Sequence, residues 1–340
     1  MRSPDDTNLL DLLTHDTEKV DSLFLAGDYW SGKTAHSLRE IKMFGLEDFR
    51  GTSNLIAQSY GDNIHYDITN ELRFSQENET LGIANVSNLL QRQLNFTKRY
   101  FDQTLLLYER ILGQDEKILS LTDRYDIEES TAFGCVNKIK IKGKEYSVQY
   151  LNLLQQLDFA FTKIKTENVS TMFEIGGGFG ATAHLVLKNF KSIKKYLYLD
   201  IVPNLYVGTQ YLKSFFKDSV VDYSQTRSLD EIKFSDDNEL EIICIAPWQL
   251  PKFQSKIDLF FNSHSFVEIP QETLDFYGVE ISKSLGSEKS NLILISYDGF
   301  DLKTTHHPNT LPGLFPERNF KKYNLSSILD ENRQNSFYVS

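Results

Sequence analysis

The sequence has few of the residues that mark secreted, metal-bound or membrane-spanning chains. Its 340 residues include two cysteines, Cys135 and Cys244, and no Cys-x-x-Cys or Cys/His cluster. This pattern excludes a disulfide framework and the usual zinc sites, so both thiols are expected to be reduced. No stretch approaches the roughly 18 uninterrupted apolar residues of a membrane-spanning helix, and the amino terminus does not resemble a signal peptide. We therefore expect a cytoplasmic protein without a membrane span.

Basic residues are outnumbered by acidic ones. The chain has 36 Lys and Arg against 47 Asp and Glu, which gives a formal net charge of −11. Because nucleic-acid phosphates need a basic surface, this balance argues against nucleic acid as a partner. Apolar residues make up 40% of the chain and charged residues 24%, a composition typical of a globular protein with an ample core.

Two different patterns divide the chain. Residues 1–167 are predicted to be mostly helical, because apolar residues recur at helical spacing in "DTNLLDLLTHDTEKVDSLFLA", "SNLLQRQLNFTKRYFDQTLLLYERIL" and "YLNLLQQLDFAFTKI". Within this region, Lys142-Gly143 between two short alternating runs predicts a small β-hairpin. In residues 168–340, short apolar strands alternate with helical stretches, which predicts parallel βαβ units. We therefore predict a helical N-terminal domain, 1–167, followed by an α/β domain, 168–340.

The most informative motif is the glycine-rich stretch "FEIGGGFGATAHLVLKNF". Gly176, Gly178 and Gly180 lie between a predicted strand and a predicted helix, and Asp200 ends the next strand, "KYLYLD". Glycine there loses more entropy on folding than other residues and offers no side chain to pack. A common reason for such a loop is a ligand that approaches the backbone at the N-terminus of the helix.

Two classes of cofactor use a loop of this kind. The spacing Gly176-x-Gly178-x-x-Ala181 fits the dinucleotide fingerprint, in which an acidic residue such as Asp200 holds ribose hydroxyls. The spacing that begins at Glu174 equally matches the first motif of class I methyltransferases that use S-adenosylmethionine, in which an acid at the strand end lies near the methionine part of the cofactor, so Glu174 is a candidate to bind it. An acidic group would repel the pyrophosphate of NAD, whereas S-adenosylmethionine carries an ammonium and a sulfonium and no phosphate. Glu174 therefore favours S-adenosylmethionine.

Further pieces of the chain resemble the sugar O-methyltransferases, a group similar to the nanchangmycin-type deoxysugar methyltransferases. They are "YWSGKTAHSLREIKMFGLEDFRG", "YLYLDIVPNL" and "IDLFFNSHSFVEIP", together with the glycine loop. The resemblance implies a Rossmann-like class I methyltransferase fold, with a mostly parallel seven-stranded sheet behind the helical region. It also implies S-adenosyl-L-methionine as cofactor and a sugar hydroxyl as acceptor, on a nucleotide sugar, a glycan or a glycosylated metabolite.

The exits of the third and fourth predicted strands supply further cofactor candidates. Only the short stretch "APWQLPKFQSK" separates these strands, too little for a full crossover helix with its loops. In the class I fold the adenine ring lies near the third exit, so Trp248 is a candidate to stack on it; alternatively, Trp248 fills the space of the missing helix. Asn262, at the end of the fourth strand, is a candidate to bind the methionine part, or a turn residue.

A sugar hydroxyl is a poor nucleophile at neutral pH, so a general base is expected near the acceptor. His264 and Glu268 follow the fourth strand, and a helical turn between them would put both on one side. His264 is the preferred base because imidazole is mostly neutral at pH 7, with Glu268 orienting it or acting as the base itself. His306 and His307 are the reserve candidates. No recognised metal-binding spacing occurs, so no metal is predicted.

Aromatic residues of the N-terminal region are candidates for the acceptor pocket. Tyr29, Trp30 and Tyr150 are possible stacking surfaces for a pyranose ring, with core packing as the alternative. Two other functions stay open. An NAD-dependent sugar oxidoreductase is disfavoured because no Tyr-x-x-x-Lys pair stands in a suitable place. A non-catalytic methyltransferase-like subunit is disfavoured because both Glu174 and Asp200 are kept.

Overall fold

The computed structural model describes residues 5–47, 49–50, 116–135, 138–286, 289–297, 306–328 and 334–340. The helix predicted from "SNLLQRQLNFTKRYFDQTLLLYERIL" lies outside these residues. The chain divides into two compact units. Unit 1 comprises Met1–Ser3, His36–Gln155 and Ile328–Asp330, and unit 2 comprises Pro4–Ala35, Gln156–Ser327 and Glu331–Ser340. The predicted domain boundary near residue 168 remains a prediction, but the first 35 residues fall mostly with the α/β unit.

The described residues form α-helices and strands in the following order. The helices are α1 Thr7–Thr17, α2 Asp28–Phe44, α3 Glu116–Arg124, α4 Val148–Phe161, α5 Ala181–Asn189, α6 Asn204–Phe216, α7 Tyr223–Thr226 and α8 Gln271–Ser284. The strands are β1 Ile139–Ile141, β2 Lys144–Tyr146, β3 Thr171–Ile175, β4 Lys195–Leu199, β5 Val220–Val221, β6 Glu241–Ile245, β7 Leu259–Ser263, β8 Asn291–Tyr297, β9 Lys321–Ser326 and β10 Gln334–Val339. None of the described helices is both long and apolar enough to cross a bilayer.

Unit 1 contains the predicted hairpin and a buried arginine. Strands β1 and β2 pair antiparallel around Lys142 and Gly143, which both have positive φ, so the hairpin is confirmed. Arg50 is fully buried, donates to the Ser147 hydroxyl at 2.7 Å and lies 5.4 Å from the ring of Tyr150. Tyr150 is itself 0% exposed. It is a core residue of unit 1 and offers no face to a sugar, which corrects one of the predicted stacking surfaces.

Unit 2 is built on an eight-stranded sheet with the order β5-β6-β4-β3-β7-β8-β10-β9. The pairs from β5 to β8 are parallel, whereas β10 runs antiparallel to both of its neighbours, β8 and β9. This is the sheet of the class I methyltransferase fold, and the predicted α/β class is confirmed. The eighth strand is the two-residue edge strand β5, too short to leave an apolar pattern in the sequence.

The central strands are buried on both faces, as parallel strands covered by helices are. On one face, Phe173, Leu197 and Phe260 belong to a large apolar cluster. The connection from β6 to β7 contains a 3₁₀ helix, Pro247–Lys252, and no α-helix, as its length predicted. Because β3, β4, β6 and β7 are parallel, their carboxyl ends meet at one edge of the sheet, where ligands bind in open α/β folds.

A glycine in α6 permits the close packing beneath this edge. Tyr198 of β4 is fully buried, and its hydroxyl donates to the Gly178 carbonyl at 2.5 Å. A Cβ atom on Gly208 would lie 2.1 Å from that hydroxyl oxygen. Gly208 therefore allows α6 to pack directly on the tyrosine that supports the glycine loop.

We expect Gly208→Ala to lower the free energy of unfolding by about 1–3 kcal/mol, because the added methyl group overpacks the core. Gly32→Ala in α2 is the control, since a Cβ atom there meets nothing within 4 Å. A helical glycine replaced without strain gains about 0.4–1 kcal/mol. Urea denaturation of both variants measures the difference, and equal stabilities would contradict the packing described.

Candidate active site

The predicted glycines form a tight loop at the carboxyl end of β3. Gly176, Gly178 and Gly180 have φ values of 76°, 62° and 89°, in the left-handed region that favours glycine. A Cβ atom on Gly176 would also lie 2.3 Å from the hydroxyl oxygen of Ser265. Gly180 is the N-cap residue of α5. The loop therefore brings the N-terminus of this helix and its bare backbone to the sheet edge, as predicted.

Asp200 joins this loop to the end of β4. Its Oδ2 accepts from the Gly178 N–H at 2.8 Å, and its Oδ1 accepts from the Ile201 N–H at 2.7 Å and the Asn204 amide at 3.4 Å. The residue is 5% exposed, and burial raises its pKa to about 7. Since a carboxylate offers about four acceptor positions, these bonds leave room for a further donor such as a ligand hydroxyl.

Glu174 lies beneath the loop rather than at its rim. It is 1% exposed, accepts from the Tyr196 hydroxyl at 2.7 Å and also bonds to Thr182. Burial raises its pKa to about 7. A Cβ atom on Gly177 would lie 2.8 Å from its Oε2, so the carboxyl group is close to the loop backbone. This position favours an electrostatic and structural role beneath the loop over the predicted direct contact with a cofactor.

Asn262 connects the ends of β3 and β7. Its amide donates to the Ile175 carbonyl at 2.8 Å and to the Ser265 hydroxyl at 2.6 Å, and its Oδ1 accepts from the Phe266 N–H at 3.3 Å. The side chain is fully buried. Both amide hydrogens are therefore engaged, which favours a bracing role over the predicted contact with the cofactor.

Trp248 is half-buried after β6, at the predicted position. Its indole N–H faces the Tyr223 hydroxyl at 3.3 Å, and Tyr223 donates to Asp16 at 2.7 Å. Asp16 of α1 also pairs with Arg227, which holds the pKa of Asp16 down at about 2. The sequence did not predict this chain of contacts, because no local signal connects Asp16 with residues more than 200 positions away.

His264 lies at the predicted strand exit, where three neighbouring side chains contact its ring. Its Nδ1 is 2.7 Å from the Ser263 hydroxyl, its Nε2 is 3.1 Å from the Asn335 Oδ1, and the Tyr297 ring is 4.2 Å away. Because the amide oxygen of Asn335 needs a donor, Nε2 carries the proton and Nδ1 accepts from Ser263. Burial lowers the pKa of His264 to about 4. The preference for His264 as the base is therefore reversed: its lone pair is engaged and weakly basic.

Glu268 has a different partner from the one predicted. It ends the 3₁₀ helix Ser265–Glu268 and accepts from the indole N–H of Trp30 at 2.8 Å, rather than pairing with His264. Burial raises the pKa of Glu268. Its charge in turn contributes to the raised pKa of Asp200, so the two carboxyl groups lie within electrostatic range.

The reserve histidines serve local structure. The His306 Nε2 is 2.9 Å from the Ile269 carbonyl, and the exposed His307 accepts from the Asn309 N–H at 3.2 Å. Most of the loop after β8, with Asp298 and Asp301, and the side chain of Tyr29 lie outside the described residues. Within the part that is described, no cluster of His, Cys, Asp and Glu residues is suited to hold a metal ion.

No protein-family model and no curated protein sequence matches the chain. Among solved structures it is similar to the cyclopropane synthase MmaA2 from Mycobacterium tuberculosis, with 11% identity, a TM-score of 0.38, and coverage of 55% of this chain and 83% of that one. It is also similar to human N-acetylserotonin methyltransferase in complex with SAM, with 12% identity and a TM-score of 0.37. That match covers 56% of this chain and 52% of the human protein. It is similar as well to the mitomycin 7-O-methyltransferase MmcR, with 12% identity and a TM-score of 0.36. That match covers 56% of this chain and 56% of MmcR. The chain thus spans about half the length of the latter two.

The raised pKa of Glu174 makes stability depend on pH. Between an unfolded value of about 4.5 and the folded value of about 7, the folded state holds a proton that the unfolded state releases. The stabilisation that protonated Glu174 contributes to the folded state is therefore fully present below the unfolded pKa. It is lost as pH rises through 7. Glu174→Gln keeps an acceptor for Tyr196 and does not titrate. We expect this variant to be more stable than the wild type at pH 8, with most of the gain absent at pH 5.

Asp222→Asn is the control for this comparison. Burial opposes ionisation of Asp222, but bonds from Lys213 and Ser224 hold its pKa below the usual range. Its stabilising contribution is therefore present at both pH 5 and pH 8, and the variant should be less stable at both. Thermal unfolding at the two pH values measures these effects. A gain for Glu174→Gln that does not change with pH would show that Glu174 is ionised throughout.

Proposed function

We propose that the protein is an O-methyltransferase that uses S-adenosylmethionine and methylates a sugar hydroxyl. The observation that carries the proposal is the charge at the glycine loop. Glu174 and Asp200 are both buried there, and all of their hydrogen-bond donors among the described residues are neutral. Buried carboxyl groups without a cationic partner are unfavourable when ionised, and a positively charged ligand lowers that penalty.

The residues at the sheet edge fit this cofactor. Asp200 has acceptor capacity for ribose hydroxyls, and the glycine loop presents backbone without side chains at the N-terminus of α5. Trp248 lies at the β6 exit, where adenine is expected. When bound, S-adenosylmethionine supplies a methyl group on a positively charged sulfur. An NAD pyrophosphate would instead place negative charge beside the two carboxyl groups, which disfavours the oxidoreductase alternative.

The sugar acceptor is supported by the resemblance of the chain to sugar O-methyltransferases and by the surroundings of Trp30. This half-buried tryptophan lies in unit 2 with its indole N–H on Glu268, so a large aromatic ring and a carboxylate are adjacent. Carboxylates bind sugar hydroxyls, and aromatic rings pack against the apolar faces of pyranoses. Nucleotide sugars, glycan ends and glycosylated metabolites are the proposed acceptors.

Calorimetry with S-adenosylhomocysteine and with NAD tests the cofactor. We expect S-adenosylhomocysteine to bind and Asp200→Ala to weaken that binding by about 1–3 kcal/mol, the scale of a lost hydrogen bond to a charged group. Asp258→Ala is the control, because Asp258 accepts from Ser170 and Thr171 at the opposite, amino-terminal edge of the sheet. Its affinity for S-adenosylhomocysteine should equal that of the wild type. Binding of NAD with none of S-adenosylhomocysteine would overturn the proposal.

Transfer of a labelled methyl group tests the acceptor class. Radiolabelled S-adenosylmethionine is supplied with a set of UDP-, GDP- and dTDP-sugars, methyl glycosides and free monosaccharides. Label in a sugar product that resists mild alkali is expected, because a methyl ether survives conditions that cleave a methyl ester. Label found only in esters or amines would contradict the sugar-hydroxyl assignment.

A further inference from the structure

The contact between Trp30 and Glu268 joins two segments that are far apart in sequence. The indole Nε1 donates to the Glu268 Oε2 at 2.8 Å, and both side chains are half-buried. Both residues belong to unit 2. An indole N–H is a donor only, so this bond engages one carboxylate oxygen and fixes the orientation of the group.

Neighbouring contacts hold the tryptophan in place. The segment before Trp30 contacts α8: the Leu23 carbonyl accepts from the Thr273 hydroxyl at 3.0 Å, and Phe24 packs edge-on against Phe276 at 5.4 Å. Gly27 then approaches Pro270 so closely that a Cβ atom would lie 2.7 Å from the proline ring. The position of Trp30 is therefore set by these three contacts of the preceding segment as well as by its own hydrogen bond.

Burial and two neighbouring groups determine the charge of Glu268. Burial disfavours its ionised form, while the Trp30 N–H and the Lys33 ammonium on α2 favour that form. Lys33 also lies 4.8 Å over the Trp30 ring. The charge of Glu268 also helps to raise the pKa of Asp200 at the end of β4. Glu268 is thus a carboxylate of raised basicity at the end of the 3₁₀ helix Ser265–Glu268, whose first residue lies against Gly176 of the glycine loop. Among the described residues its Oε1 has no hydrogen-bond donor.

We propose that Glu268 is the general base of the methyl transfer and that Trp30 is the residue that positions it. This inference rests on the proposed function. The acceptor hydroxyl oxygen forms a bond to the methyl carbon while the carbon–sulfur bond breaks, and the electron pair of that bond stays on sulfur, which becomes neutral. The hydroxyl proton passes to Glu268 Oε1. Oε2 stays on the Trp30 N–H, which keeps Oε1 directed at the acceptor.

Kinetics of three variants test the base. Glu268→Gln should lower kcat by about 10²–10⁴ while the affinity for S-adenosylhomocysteine changes little. His264→Ala should lower kcat much less, because its lone pair is engaged by Ser263. Glu272→Gln, an exposed carboxylate in the first turn of α8, is the control and should match the wild type.

The role of Trp30 is tested by the pH profile, which a purely structural residue would not move. Trp30→Phe keeps an aromatic ring and removes the N–H that favours the ionised form of Glu268. The pKa of Glu268 should then rise, so the acidic limb of the kcat profile should move to higher pH, with a smaller loss of kcat than in Glu268→Gln. A reduced kcat with an unshifted acidic limb would overturn the positioning role.

Tryptophan fluorescence provides a test that needs no acceptor. The chain has two tryptophans, so Trp248→Phe leaves Trp30 as the only one. Its emission should titrate with Glu268, at a pKa above the usual value for glutamate. Adding Glu268→Gln should remove that transition, whereas a transition due to Asp200 or Lys33 would remain. If the emission titrates identically with and without Glu268→Gln, Glu268 and Trp30 are not coupled.

The outcomes separate the two proposals. A wild-type protein that binds no S-adenosylhomocysteine, or transfers no methyl group to sugars, contradicts the proposed function and this inference together. A wild type that transfers methyl groups while Glu268→Gln keeps its kcat overturns the inference alone. If His264→Ala shows the larger loss instead, the histidine is the base and Trp30 has no catalytic role.

Discussion

The bonds from the backbone N–H groups of Gly178 and Ile201 to the carboxylate of Asp200 hold the candidate site together. They tie the glycine loop after β3 to the end of β4. The loop in turn needs glycine, because its φ values are positive and neighbouring side chains occupy the space of a Cβ atom. The same carboxylate thus shapes the loop and remains available to a ligand.

This arrangement concentrates negative charge where water is scarce. Burial raises the pKa of both Glu174 and Asp200 to about 7, and Glu268 raises that of Asp200 further. Such a site is unfavourable when fully ionised and empty of cations. Perturbed carboxyl groups at the carboxyl edge of an α/β sheet are what a cationic ligand requires, and a sulfonium cofactor has the matching charge.

The fold and the cofactor loop were predictable because their signals are local. Alternating apolar strands, Lys142-Gly143 and the glycines each act on their own neighbours in the chain. The orientation of Glu174 could also have been predicted from the sequence. Phe173 and Ile175 are core residues, so the residue between them must face the opposite side of the sheet. The short strand β5 left no pattern at all.

The catalytic side of the site was less predictable, because tertiary contacts decide it. His264 was preferred for the pKa of free imidazole, but Asn335 and Tyr297, both distant in sequence, contact its ring. The proposed role of Glu268 depends on its contact with Trp30, which comes from the first helical region and was considered only as a stacking surface. The spacing within "NSHSFVEIP" predicts neither the contacts of His264 nor the bond between Glu268 and Trp30.

A crystal structure with bound S-adenosylhomocysteine tests the central claim most directly. The ribose hydroxyls should bond to Asp200, the adenine should lie beside Trp248, and the sulfur should face the contact between Glu268 and Trp30. Binding of the adenosyl group away from the glycine loop would contradict the assignment of this edge as a methyl-transfer site. So would a sulfur atom directed away from Glu268.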